Sequence, residues 1–101
     1  MNIWYFKEQI PDELHGAKDY IKRAIEIRAM HSEWGKRLAD MSEAELEHAE
    51  TLYKMFQEYY AKLSGTYEKM PEYCEEAKKR IDEEYMKCSV EIRTLHEIYK
   101  Q

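Results

Sequence analysis

Glu45 and His48 form a Glu-x-x-His pair. On a helix, residues three apart project from one face about one turn apart, so a carboxylate and an imidazole at this spacing can reach a single metal ion. Carboxylates bridge hard cations and cancel their charge, and imidazole adds a neutral ligand suited to iron. The chemistry in view is therefore binding of a redox-active metal. A Glu-rich chain produces such pairs by composition alone, so placement carries the signal. Leu38, Met41, Glu45, His48, Leu52, Met55 and Tyr59 recur at alternating steps of three and four, and the pair occupies two positions of that apolar stripe. A carboxylate and a histidine on a buried seam cost several kcal/mol unless a partner or a cation compensates them.

Three helices are expected to carry this stripe and its surroundings. In the first, over about 8–30, Pro11 suits an opening turn, and Asp12 and Glu13 favour the positive helix end. Ile10, Glu13, Ala17, Tyr20, Ala24, Ile27 and His31, flanked by Leu14, Ile21 and Ile25, form its inward face. Whether residues 3–10, with their apolar cluster, extend this helix is left open. Ser32 reads as the N-cap of a second helix, over about 32–64, which stops at Ser64-Gly65-Thr66 with a glycine C-cap. A third, over about 70–100, begins near Pro71 and presents Cys74, Ala77, Ile81, Tyr85, Cys88, Ile92, Leu95 and Tyr99.

An antiparallel hairpin of the first two helices would set Glu13 level with Glu45 and His48, because the midpoint between them falls near residue 30, where the turn is expected. The alternative is an ordinary polar layer in which the three pair with Lys, Arg or each other. Asp12 with His15 is a competing pair three apart, but both lie off the inward face. His31 reads as a helix-end or core histidine, and His96, without an acid three residues before it, as structural or exposed.

Composition narrows the field. A chain of 101 residues is one domain. With 37% charged residues and only three Gly and two Pro, it is all-α rather than rich in tight reversals. A net charge of -5 argues against binding to nucleic-acid phosphates. No apolar run approaches the roughly 18 to 20 residues of a membrane span, and no signal-like segment opens the chain, so a cytoplasmic location is expected. Cys74 and Cys88 lie about 21 Å apart along one helix, too far for a disulfide between them, and read as small core residues.

The segment Met41-Ser42-Glu43-Ala44-Glu45-Leu46-Glu47-His48-Ala49-Glu50, followed by Leu52 and Tyr53, resembles the second-helix metal motif of the ferritin-like superfamily. Its rubrerythrin-type and half-ferritin branches are the most similar. Glu13, with Tyr20 seven residues later, is similar to that group's first-helix pattern of a ligand Glu followed by a Tyr. The resemblance spans about residues 8–63. It implies a di-iron site, with manganese as a possible substitute, in which Glu45 bridges the ions, Glu13 and His48 are terminal ligands and Tyr20 is a redox-active or supporting neighbour. Residues 66–101 contain no second Glu-x-x-His, and the four-Cys module of rubrerythrins is absent from the sequence. One chain would thus supply half a site, and a homodimer or an assembly of dimers would complete a ferritin-like four-helix bundle. The function implied is oxidation of Fe(II) by oxygen or peroxide, for iron handling or peroxide detoxification. The alternative is a metal-free helical interaction or structural module, for which nine Tyr, six Met and two Trp supply contact residues.

Overall fold

The computed structural model describes residues 2–101, which form three α-helices and no strand. They are α1 (Ile3–Ile27), α2 (Ser32–Ser64) and α3 (Glu72–Lys100). The molecule is a rod 57 Å long and 20 by 15 Å across, close to the roughly 50 Å that the longest helix spans at 1.5 Å per residue.

α1 begins earlier than its proline suggests. The Asn2 side chain accepts hydrogen bonds from the backbone N–H of Trp4 at 3.0 Å and Tyr5 at 3.4 Å, capping the helix at Ile3 and leaving Pro11 inside it. An interior proline costs about 3 kcal/mol. Burial of Ile3 and Phe6 before it and of Ile10 and Leu14 after it offsets this, at about 1.5 to 3 kcal/mol for each large apolar side chain. α1 also ends earlier, at Ile27, and residues 28–30 turn the chain into α2. Ser32 is already helical, and His31 holds the N-cap position without a side-chain cap bond. Gly65 ends α2 with φ -72°, not in the left-handed conformation of a glycine cap.

α1 and α2 are antiparallel. The rings of Phe6 and Phe56 lie 5.5 Å apart near one end, and Ser42 meets Ala17 near the middle. Close to the turn, a Cβ on Gly35 would stand 3.2 Å from the Arg28 Cα, so any larger residue would push the two backbones apart by a few tenths of an ångström. α3 runs parallel to α1. Tyr73 stacks with Trp4 at the start, Glu91 pairs with Lys18 at 2.6 Å, and Arg28 donates to the carbonyls of Ile98 at 2.8 Å and Tyr99 at 2.6 Å. That guanidinium satisfies carbonyls that a helix end otherwise leaves bare and sits at the negative pole of its dipole. Between α2 and α3, Tyr53 stacks on Tyr85 at 4.0 Å and donates to Asp82 at 2.7 Å.

The main core joins Phe6, Ile10, Leu14 and Ala17 of α1 to Leu46, Ala49 and Phe56 of α2 and to Cys74, Ala77, Ile81 and Ile92 of α3. Of the expected first-helix stripe, Ile10, Ala17 and Ala24 are buried together with the flanking Leu14 and Ile21, whereas Glu13, Tyr20, Ile25 and Ile27 are half-buried and His31, beyond the helix end, is exposed. The second-helix stripe is displaced by one residue. The buried positions are Gly35, Ala39, Ser42, Leu46, Ala49 and Phe56, whereas Met41 and Met55 are exposed and Leu38, Glu45, Leu52 and Tyr59 are half-buried. α2 thus carries two adjacent apolar stripes, one buried within the chain and one along its open flank. Both cysteines are free thiols, Cys74 buried and Cys88 half-buried. No helix is long and apolar enough to cross a membrane among the described residues.

Candidate metal centre

Helical pitch and the position of the turn bring Glu13, Glu45 and His48 together. Glu13 lies on the flank of α1 beside the buried Ile10, Leu14 and Ala17, and Glu45 and His48 lie on the flank of α2 beside Leu46 and Ala49. His48 Nδ1 stands 3.5 Å from Glu13 Oε2 and 3.9 Å from Glu45 Oε1. One potential ligand atom from each residue lies within 4.8 Å of the other two. An ion with bonds of about 2.1 Å holds its ligand atoms about 3 Å apart at right angles and about 4 Å apart when opposite. Side-chain movements of under about 1 Å would therefore close these three donors on one ion.

The electrostatics agree with such a fit. Glu13 Oε2 is buried and has no hydrogen-bond partner, an arrangement that natural proteins rarely leave uncompensated. The adjacent Glu13 carboxyl, within reach to share a proton, and then burial hold the Glu45 carboxyl above its ordinary range, while His48 pulls it down. These two carboxylates make their contacts with His48 and with each other, not with Lys or Arg. Two carboxylates and an imidazole with open access are a donor set for a hard or borderline divalent cation.

The cluster is reachable from two sides, each lined by α1 and α2 alone. On the Glu13 and His48 side, Tyr5, Gln9, Thr51 and Leu52 border a cavity of about 280 Å³. On the other, Glu45, Gly16, Tyr20, Asp12 and Asp19 border one of about 670 Å³. Tyr20 is half-buried there and shares the cavity with Glu45. His48 is the most accessible of the three donors, with 61% of its side chain exposed.

The remaining histidines are engaged elsewhere. His15 is exposed and its Nε2 lies 3.0 Å from Glu84 Oε1, so the imidazole is paired with α3, although Asp12 and His15 border the same cavity as Glu45. His31 stacks on Trp34 at 4.4 Å at the exposed turn. His96 is buried, and its Nε2 is 2.9 Å from Ser42 Oγ.

Two residues of this region were not singled out by spacing. Ser42 is fully buried and ties α2 to both other helices, and its small size on the true α2 seam was the available signal. Gly16, in mid-helix where glycine is disfavoured, lies under the Glu45 carboxylate. No protein-family model, curated protein or solved structure matches the chain.

Proposed function

We propose that this chain is a ferritin-like di-iron carboxylate protein of the cytoplasm that binds Fe(II) and oxidises it with oxygen or peroxide. The observation that carries the reading is the buried, unpartnered Glu13 Oε2 beside Glu45 and His48. Glu13 and His48 would be terminal ligands, Glu45 a bridge and Tyr20 a neighbour on the Glu45 side. Iron would supply the electrons for reducing the oxidant, with manganese as the alternative metal. The protein's part is to hold anionic donors at fixed spacing and to limit water around them.

Three donors from one chain make half of a two-ion site. The same flank that carries them exposes Tyr5, Met41 and Met55 and leaves Leu52 half-buried. On α2 this apolar stripe is interrupted only by Glu45 and His48, which suits a second copy, related by a two-fold axis, that brings Glu13, Glu45 and His48 again. This homodimer, or an assembly of such dimers, would form a four-helix bundle from two hairpins with α3 on the outside.

A second reading draws on other exposed apolar residues. The stacked Trp4 and Tyr73, together with Met30 and Trp34 at the turn, suit a metal-free helical interaction module. Anaerobic Fe(II) titration of metal-free protein, with the particle mass measured on the same sample, separates the two. Saturation near one iron per protomer in a dimer or a multiple of dimers supports the di-iron reading. Absence of specific uptake, or equal uptake after Glu45→Ala, would leave the interaction module.

A further inference from the structure

We propose that Gly16 is a positioning residue for Glu45, kept free of a side chain so that the carboxylate can lie directly on α1 beside His48. The inference rests on the metal-binding reading above for its functional meaning, and on steric geometry for its physical content.

Gly16 lies deep inside α1, which spans Ile3–Ile27. Glycine is the least favoured residue after proline in a helix interior, so its presence calls for a reason. Backbone conformation does not provide one, because no described glycine has a positive φ. Space does. A Cβ at position 16 would stand 3.2 Å from Glu45 Oε2 and 3.8 Å from Cδ and Cγ of the same side chain. Those three contacts are all with Glu45, so the carboxylate is what the missing methyl group accommodates.

The consequence is the orientation of the two oxygens. Oε1 points to the His48 side, 3.9 Å from Nδ1. Oε2 rests over Gly16, at the edge of the cavity that Tyr20, Asp12 and Asp19 border. A carboxylate lying on α1 in this way would offer one oxygen toward His48 and keep the other against the helix, where a side chain at position 16 would displace it. An alanine at 16 forces that displacement by a few tenths of an ångström, and a valine forces more. The Glu45 side chain can yield, so the fold survives while the carboxylate is lifted off the surface of α1 and must be drawn back to meet an ion.

The test is a graded series, Gly16→Ala and Gly16→Val, compared with wild type by anaerobic Fe(II) titration and by thermal unfolding of the metal-free proteins. Alanine should keep or raise the melting temperature, because it is the better helix former, and should weaken Fe(II) binding about tenfold, a coupling comparable to loss of a ligand-supporting contact. Valine should weaken binding further. Wild-type affinity in both variants would overturn the positioning role, and so would a melting temperature that falls in parallel with affinity, since the effect would then lie in the fold. If wild-type protein takes up no Fe(II), the di-iron reading itself fails, which is a different result from equal uptake by all three proteins.

Discussion

Ser42 Oγ and His96 Nε2 lie 2.9 Å apart in the interior, joining α2 to α3. Ser42 also donates to the Ala17 carbonyl oxygen at 2.6 Å. A carbonyl only accepts, so the hydroxyl proton is committed to Ala17, and the imidazole must donate Nε2–H to Ser42. This relay crosses all three helices and fixes the His96 tautomer with Nδ1 unprotonated in the neutral ring. The proton order is that of a structural bridge, not of a nucleophilic serine, whose hydroxyl proton would have to pass to the imidazole.

Ser42→Ala should therefore destabilise the protein by about 1 to 3 kcal/mol, because a buried imidazole N–H loses its acceptor. In a chain of this size that is a fall of roughly 4 to 8 °C in Tm per kcal/mol. Thermal unfolding followed by circular dichroism measures it. A Tm within about a degree of wild type would show that the relay contributes nothing net to the fold.

The same histidine gives a pH dependence with a definite sign. Burial, the dominant cause, holds His96 below its usual 6.5, and Lys100 acts in the same direction while Glu43 and Glu97 oppose it. As pH falls through that value, the unfolded chain takes up a proton before the folded one does, so stability falls with pH until the folded group also titrates. Urea unfolding at pH 7.5 and at pH 5.5 should show the loss in wild type and a smaller loss in His96→Gln. Equal losses in the two proteins would place the acid sensitivity elsewhere.

Glu45→Gln should have opposite effects on stability and on binding. The raised Glu45 carboxyl means that ionisation beside Glu13 opposes folding. Its favourable contribution is present below the unfolded-state value and is lost as pH rises through the higher folded value. The amide removes that charge. At pH 7 the metal-free variant should match or exceed wild-type stability, by at most about 1 kcal/mol for a partly exposed pair, while Fe(II) uptake is lost. Reduced stability would instead show that Glu45 is held by interactions its charge strengthens.

Met41→Glu with Met55→Glu tests the second copy. Both residues are exposed, at 44% and 38%, on the flank that carries the metal donors. Charges there should leave the helical content of the protomer unchanged and lower Tm only by what association contributes. Sedimentation equilibrium should show a dimer reduced to monomer, together with weaker Fe(II) binding. Unchanged mass would move the interface away from this flank.

The three helices and the level of the hairpin were legible from local information. Periodicity marked the elements, the break near residue 30 set the turn, and equal lengths on either side placed Glu13 opposite Glu45 and His48. The start of α1 was not read, because a single cap at Asn2 and the burial of Ile3 and Phe6 outweigh what Pro11 signals. His96 was read as structural or exposed, and what it bonds was not legible, because Ser42 lies on another helix and 54 residues away.

The sequence by itself determined the helical pitch, the hairpin and the residue types able to meet at one level. The tertiary structure decided which side of α2 is inside. Steps of three and four fit the Leu38, Met41, Glu45, His48 stripe as well as the Gly35, Ala39, Ser42, Leu46 stripe beside it, and only contact with α1 and α3 buries the second and leaves the first open. A periodicity records that a face is apolar. What covers the face depends on residues far away in the chain, and that dependence is why Glu45 and His48 lie at an accessible flank, not in a closed core.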